Sequence, residues 1–190
     1  LYPASKVDVV KDFAALNYIG YAPSLLVVNA ATPYTSVAEL IAAAKAQPNK
    51  LLYASTSNGS SAHLFMELFK SLTKASLTHV QSGRLRALAV TAPKRLTILP
   101  DVATMSEAGV DGFEANTWWG AVAPAATPKE ILVKLNVEIN RILGTSEVRK
   151  LFQSQDVQIA GGTMESCAEY IKNQVALWSK VVREAKVKAE

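Results

Sequence analysis

Cysteine is nearly absent from this chain. Cys167 stands alone, so neither an intrachain disulfide nor a cysteine-based metal cluster can form. Histidine is almost as scarce. Two in 190 residues, His63 and His79, are too few for most zinc sites. No apolar run approaches the ~18 residues that a membrane-spanning helix needs. Charge of one sign is also lacking. The balance is a mild +4, and the lysines and arginines are scattered. With no basic stripe to track a phosphate backbone, no nucleic-acid partner is expected. No Gly-Lys-Ser/Thr ending marks a P-loop, and no G-x-S-x-G marks a nucleophile elbow. What is left is a hydrophobic content of 49% with 19% charged residues, enough to build an ordinary globular core.

Strand and helix signals alternate along the chain, which predicts an α/β architecture. Leu25 to Asn29 reads as a buried strand. Ser36 and Glu39 form a capping box for a helix from Val37 to Ala46, which stops before Pro48. A strand over Leu51 to Ala54 leads through a small-residue turn into a helix from Ala62 to Leu72. A probable strand precedes His79, and Arg86 to Thr91 is the next. Thr104 to Ala108 reads as a short helix, and Phe113 to Ala123 as extended. The last third is helical. Thr127 caps, Pro128 takes the first helical position and Glu130 completes a capping box, with the helix running to Leu143. A short helix spans about Ser146 to Ser154. Gly161-Gly162 makes a turn, and Thr163 caps a final helix to about Lys186.

The most informative stretch is Leu51 to Phe69. Between its strand and its helix lie seven small residues, Ser55, Thr56, Ser57, Asn58, Gly59, Ser60 and Ser61. Such a turn presents free backbone N–H groups and hydroxyls at the helix N-terminus, where the dipole favours an anion. No acidic side chain occupies the turn to compete. A carboxylate or phosphate from outside is the natural guest. The alternative is a serine-rich connection with no ligand. His63, in the first helical turn, either hydrogen-bonds that ligand or supports the turn from inside. A lone histidine more often does the second.

Other patterns carry less. Ser60 or Ser61 with His63 could suggest a hydrolytic dyad, but no acid stands where it would orient the histidine. Ser71-Leu72-Thr73-Lys74 matches S-x-x-K without the S-D-N and K-T-G that β-lactamase chemistry requires. Asn58-Gly59-Ser60 matches a glycosylation sequon, a short pattern often met by chance. Trp118 and Trp119 could line a cleft, although adjacent strand residues face opposite ways. Cys167 and Trp178 read as core.

Taken together, the motifs resemble the Bug family, the solute-binding receptors of tripartite tricarboxylate transporters. The resemblance rests on Val10-Lys11-Asp12-Phe13 with Leu25-Val27-Val28-Asn29, on Val37-Ala38-Glu39-Leu40, and on Ser57-Asn58-Gly59-Ser60-Ser61-Ala62-His63. It continues through Leu85-Arg86-Ala87-Leu88-Ala89-Val90, Leu99-Pro100-Asp101-Val102, Trp118-Trp119-Gly120, Ala123-Pro124-Ala125 with Thr127-Pro128, and Gly161-Gly162-Thr163.

The resemblance implies a periplasmic-binding-protein-like fold of two α/β lobes around a central cleft, incomplete relative to the family. Lobe one would hold residues 1–23 and 120–190, and lobe two residues 24–119. The hinge or cleft would involve Pro23, Trp118, Trp119 and Gly120. A small carboxylate would be clamped by two opposing loops, one of them Ser55 to Ser61 with His63. The expected function is extracytoplasmic capture of that carboxylate for the membrane subunits of the transporter. The protein would be a periplasmic monomer without enzymatic activity, cofactor or metal. A truncated remnant that binds nothing and, further off, a small serine hydrolase are the alternatives.

Two departures from the family pattern are expected to matter. The strand and loop carrying the other half of the clamp are missing before Leu1, since Leu1-Tyr2-Pro3 reads as the interior of a longer chain. Val80 also passes straight to Gln81-Ser82-Gly83, where the family continues through a further crossover. Three residues cannot make a parallel crossover, which takes about a dozen. The chain is therefore expected to be discontinuous or truncated at Val80-Gln81, through a true deletion or through residues missing from the sequence there, and, with one loop, to bind weakly or not at all.

Overall fold

The computed structural model describes residues 6–55, 59–80, 86–96, 99–113, 115–155 and 157–187. In chain order the elements are β1 (Phe13–Ala22), β2 (Leu25–Val28), α1 (Val37–Ala46), β3 (Leu51–Ala54), α2 (Ser61–Thr73) and β4 (Leu77–Val80). There follow β5 (Arg86–Val90), β6 (Thr117–Pro124), α3 (Lys129–Leu143), α4 (Ser146–Ser154), β7 (Gln158–Ile159) and α5 (Met164–Glu184). The chain is α/β throughout. It divides into two compact units, Pro23–Asn116 with Lys180–Glu190, and Tyr2–Ala22 with Thr117–Ser179.

The unit of Pro23–Asn116 contains two small sheets. β2 and β5 pair antiparallel, Leu25 opposite Val90. β3 and β4 pair in parallel, Tyr53 opposite His79. A parallel pair needs a crossover, and α2 supplies it. Helix α1 is capped as expected. The Ser36 hydroxyl accepts from the Glu39 N–H, while the Glu39 carboxylate accepts from the N–H and hydroxyl of Thr35, one residue further out. Val37, Leu40 and Ala44 recur at helical spacing on its buried face. Phe65, Leu68 and Phe69 do the same on α2, and Ala89 and Val90 of β5 are wholly buried. Phe69 meets Phe113 edge-on, 6.4 Å between ring centroids.

The segment read as a short helix, Thr104 to Ala108, is instead a single hydrogen-bonded turn. Its ends close early. The Thr104 hydroxyl accepts from the Glu107 N–H, and the Glu107 carboxylate accepts from the Thr104 N–H. The capping signal is real, but Gly109, at a φ of 80°, turns the chain away before a second turn can form. The extended segment is also shorter than expected, because β6 starts at Thr117 rather than near Phe113. The expected interruption at Val80-Gln81 falls at the edge of the described residues, with Gln81 outside them.

In the unit containing β1, the sheet order is β6-β1-β7, all antiparallel. β1 has no counterpart in the sequence reading. Its register shifts between Ala15 and Asn17 and again between Tyr18 and Gly20. Each bulge breaks the two-residue alternation by which a strand is recognised. α3 packs on β1. Its start differs from expectation. Pro128 is the N-cap, Lys129 the first helical residue, and no side chain caps the end. Proline has already set the backbone angle there and has no N–H to satisfy, so Thr127 is not needed as a cap. Thr145 caps α4, and the Thr163 hydroxyl accepts from the Ser166 N–H at the start of α5.

An asparagine cluster joins these elements. The Gly162 carbonyl accepts from the side-chain amides of Asn17 (3.2 Å), Asn136 (3.0 Å) and Asn140 (2.9 Å). The Asn140 Oδ1 accepts the Gly162 N–H in return, and Asn136 also donates to the Leu16 carbonyl at 2.7 Å. Gly161 and Gly162 have φ of 69° and 114°, a pair of values suited to glycine. The turn before α5 is therefore tied to α3 and β1 by three amides.

β7 is held at a close approach. A Cβ built on Gly20 would lie 2.5 Å from the Gln158 carbonyl oxygen, which is backbone and cannot swing away. Gly20→Ala should push β7 off β1 and lower stability by about 1–3 kcal/mol, the usual cost of forced overpacking. Urea denaturation checks this. A midpoint equal to that of the unaltered chain would show that β7 contributes nothing.

Candidate functional site

Helix α2 begins at the turn singled out in the sequence. Thr56, Ser57 and Asn58 lie outside the described residues, so the turn is seen from Ser55 and from Gly59 onward. Gly59 has a φ of 73°, the left-handed region. Ser60 is the N-cap with extended backbone, and its hydroxyl accepts from the His63 N–H at 3.3 Å. The Leu64 N–H reaches the Ser60 carbonyl at 2.9 Å, the first bond of the helix. The four N–H groups that open a helix have no internal acceptors, and here the cap satisfies only one of them. The N–H groups of Ser60, Ser61 and Ala62 have no acceptor among the described residues. Ser61 and Ala62 are exposed. No acidic residue sits in the first helical turn. Donors at the positive end of a helix favour an anionic oxygen.

His63 lies under this turn. Its ring is nine-tenths buried, and Nδ1 accepts the Gly59 N–H at 2.9 Å. Its Nε2 lies 3.6 Å from Glu67 Oε1. The same carboxylate oxygen accepts from the Tyr53 hydroxyl and from Lys70 Nζ, each at 2.7 Å. Lys70 also stands over the Tyr53 ring, 5.7 Å from its centroid. Burial, reinforced by the hydrogen bond to Glu67 and by its charge, keeps the Tyr53 phenol protonated far above the ordinary tyrosine range. Tyr53 therefore acts as a donor to Glu67. This buried network escaped the sequence reading. The Glu67 and Lys70 positions follow His63 at helical spacing, but only the fold places Tyr53 against them.

Trp118 is half-buried, packed edge-on to Tyr170 (5.3 Å) and Tyr18 (6.2 Å), which stack on each other at 4.2 Å. Trp119 is 46% exposed. Gly120 gives room to the Trp118 ring, 3.1 Å from where a Cβ would stand. Pro23 is half-buried at the start of its unit. Beside it the Ser24 N–H donates to the Thr91 hydroxyl at 2.8 Å, and the Thr91 N–H returns to the Ser24 carbonyl. The Thr91 hydroxyl in turn donates to Asn116 Oδ1 at 2.8 Å. One buried threonine thus holds the two segments, at Pro23 and at Asn116, where the chain enters and leaves this unit.

The α/β fold matches that of solved solute-binding proteins. The model of the tripartite tricarboxylate transporter family receptor matches residues 1–80 and 71–187. The chain belongs to this family. It is 30% identical to a UPF0065 protein encoded in the tcbD-tcbE intergenic region of Pseudomonas sp., covering 99% of this chain and 66% of the relative. It is 31% identical to Protein BugT of Bordetella pertussis, covering 99% of this chain and 67% of that protein. Among solved structures, an R. palustris protein with adipate superposes with a TM-score of 0.80 at 29% identity, covering 98% of this chain and 73% of that one. The chain spans about two thirds of the length of these curated relatives. The matched spans, 220 and 219 residues, also exceed the 190 residues of the chain. The relatives therefore carry residues within the match that have no counterpart here. The two segments matched by the family model share residues 71–80, beside the Val80-Gln81 junction. Members of this family are receptors, which does not favour the serine-hydrolase alternative.

Two outcomes follow from this geometry. Gly59→Val places a β-branched side chain at positive φ and should cost about 1–3 kcal/mol of stability, read from the urea midpoint. Thr91→Val keeps the shape but removes the hydroxyl shared by Ser24 and Asn116. It should cost about 2 kcal/mol, because a backbone N–H loses its acceptor inside the protein. An unchanged midpoint in Thr91→Val would mean that water replaces the hydroxyl without loss.

Proposed function

We propose that the chain is the body of an extracytoplasmic receptor that captures a small carboxylate for a tripartite tricarboxylate transporter. The observation that carries this reading is the row of N–H groups at Ser60, Ser61 and Ala62 without an acceptor among the described residues, in a member of a receptor family. A relative solved with adipate supports a carboxylate as the guest. In this reading residues 1–23 and 120–190 form one lobe and residues 24–119 the other. Pro23 and Trp118-Trp119-Gly120 serve as the crossings, and a ligand favours closure only through its higher affinity for the closed state. The receptor acts in the periplasm as a monomer and delivers to membrane subunits. Ser55 to Ser61 supply one half of the carboxylate clamp. Residues that relatives carry and this chain lacks supply the rest, so the 190 residues alone bind weakly.

Backbone donors can be tested one at a time because proline is tolerated at the first helical position. Ser61 holds that position, and Ser60 before it has the extended backbone that a following proline requires. Ser61→Pro removes a donor with no internal acceptor and leaves the helix intact. In amide NMR titrations, adipate should shift the Ser60, Ser61 and Ala62 resonances with a Kd on the order of millimolar. Ser61→Pro should weaken that binding about tenfold or more, since a bond to a charged group is worth roughly 1.5–3 kcal/mol. Equal affinity in Ser61→Pro, at an unchanged melting temperature, would remove this helix start from the site. Micromolar binding by the chain alone would overturn the two-loop clamp.

A further inference from the structure

Burial and hydrogen bonding give the His63 imidazole a defined orientation. The nitrogen that accepts the Gly59 N–H cannot carry a proton, so the neutral ring holds its proton on Nε2. That nitrogen faces Glu67 Oε1 at 3.6 Å, and the Tyr53 hydroxyl and Lys70 ammonium hold the same oxygen in place. A negative oxygen opposite Nε2 favours the tautomer with its proton there, as a carboxylate does for a histidine whose other nitrogen must stay free. The chain of contacts runs from β3 and the second turn of α2, through Glu67 and His63, to one backbone amide of the turn. That amide belongs to Gly59, whose left-handed φ of 73° sets the direction in which the chain enters the helix.

We propose that His63 is a positioning residue and not a ligand contact: oriented by Glu67, it holds the Gly59 amide and so aims the free N–H groups of Ser60, Ser61 and Ala62. This deepens the carboxylate-receptor reading and rests on it for what the aimed donors bind. The arrangement has a physical purpose. A donor row stabilises an anion best when it is fixed before the anion arrives, since ordering a loop on binding costs affinity. Serine and glycine alone give a pliable turn. An acceptor on the helix itself, four residues beyond the glycine, pins the turn to a rigid element. By taking up the Gly59 N–H, His63 leaves the three donors after it as those without an acceptor among the described residues.

The test combines ring and amide NMR with adipate titration of the 190-residue chain, unaltered and as His63→Ala, His63→Asn and Glu67→Gln. In the unaltered chain the His63 Nδ1 resonance should be that of an unprotonated, accepting nitrogen, and the Gly59 amide should be protected from exchange. His63→Ala should lose that protection and bind adipate about three- to tenfold more weakly, the equivalent of one neutral hydrogen bond. His63→Asn, whose Oδ1 branches from the same carbon as Nδ1, should restore both. Glu67→Gln can donate to Nε2, so a measurable share of the ring should shift its proton to Nδ1 and Gly59 protection should fall. If His63→Ala does not fold, the last two variants decide the matter by the same signals. Equal Gly59 protection in every variant, or a ring protonated at Nδ1 in the unaltered chain, would overturn the proposal. Failure of adipate to bind while the Gly59 and His63 signals behave as expected would overturn the adipate-binding reading and leave the positioning role standing.

Discussion

A backbone N–H in a left-handed glycine at the mouth of a helix has to find an acceptor or face water. In this chain the acceptor is an imidazole nitrogen one helical turn away, at 2.9 Å. Much of the candidate site depends on that bond. It ties the residue before the cap to the first turn of α2 and takes up one of the N–H groups there. The Ser60 hydroxyl takes the His63 N–H, and the His63 ring takes the N–H of Gly59 just outside the cap, a pattern related to the capping box. A Glu at the third helical position, common in capping boxes, would bring a negative charge to the site. The His63 ring instead accepts the N–H of Gly59, one residue before the cap, and adds no negative charge there.

The same logic of one acceptor and several donors recurs in the unit containing β1. The Gly162 carbonyl collects three asparagine amides, and Asn140 closes the loop by accepting the Gly162 N–H. Asn17 is wholly buried within this cluster. Burying an amide costs free energy unless it is hydrogen-bonded, and its Nδ2 meets that condition while its Oδ1 has no partner. Bulged β1, which cannot be recognised by alternation, is placed instead by these specific bonds and by pairing on both sides. Polar side chains thus do in this unit what apolar periodicity does in α1 and α2.

Membership of the receptor family gives both arrangements a common setting. In a protein that binds without chemistry, no residue need be reactive, and none of the motifs that signal reactivity is completed here. What such a protein requires is donors held at fixed positions. The serine hydroxyls near α2 look nucleophilic in the sequence, yet Ser60 is occupied as a cap and His63 as an acceptor. Neither is available to the other as a base–nucleophile pair.

Local signals in the sequence determined a good deal. The apolar spacing of α1 and α2, the Ser36–Glu39 cap, the small-residue turn without acids and the scarcity of cysteine and histidine are all properties of short windows. Helices α3 and α4 ended where Gly144 and the break after Ser154 indicated. Linear motifs also carried the family resemblance. The tertiary structure alone decided the rest. It made a strand of a bulged segment, reduced a capping signal at Thr104 to one turn, and replaced the Thr127 cap by Pro128. It also brought Tyr53 of β3 onto Glu67 of α2, and the His63 ring onto the Gly59 N–H. The physical reason is the range of the interactions. Propensity and capping act within about one helical turn, so a window of sequence contains them. A hydrogen bond from Tyr53 to Glu67, or from Asn17 to Gly162, exists only after residues 14 or 145 positions apart have been folded together.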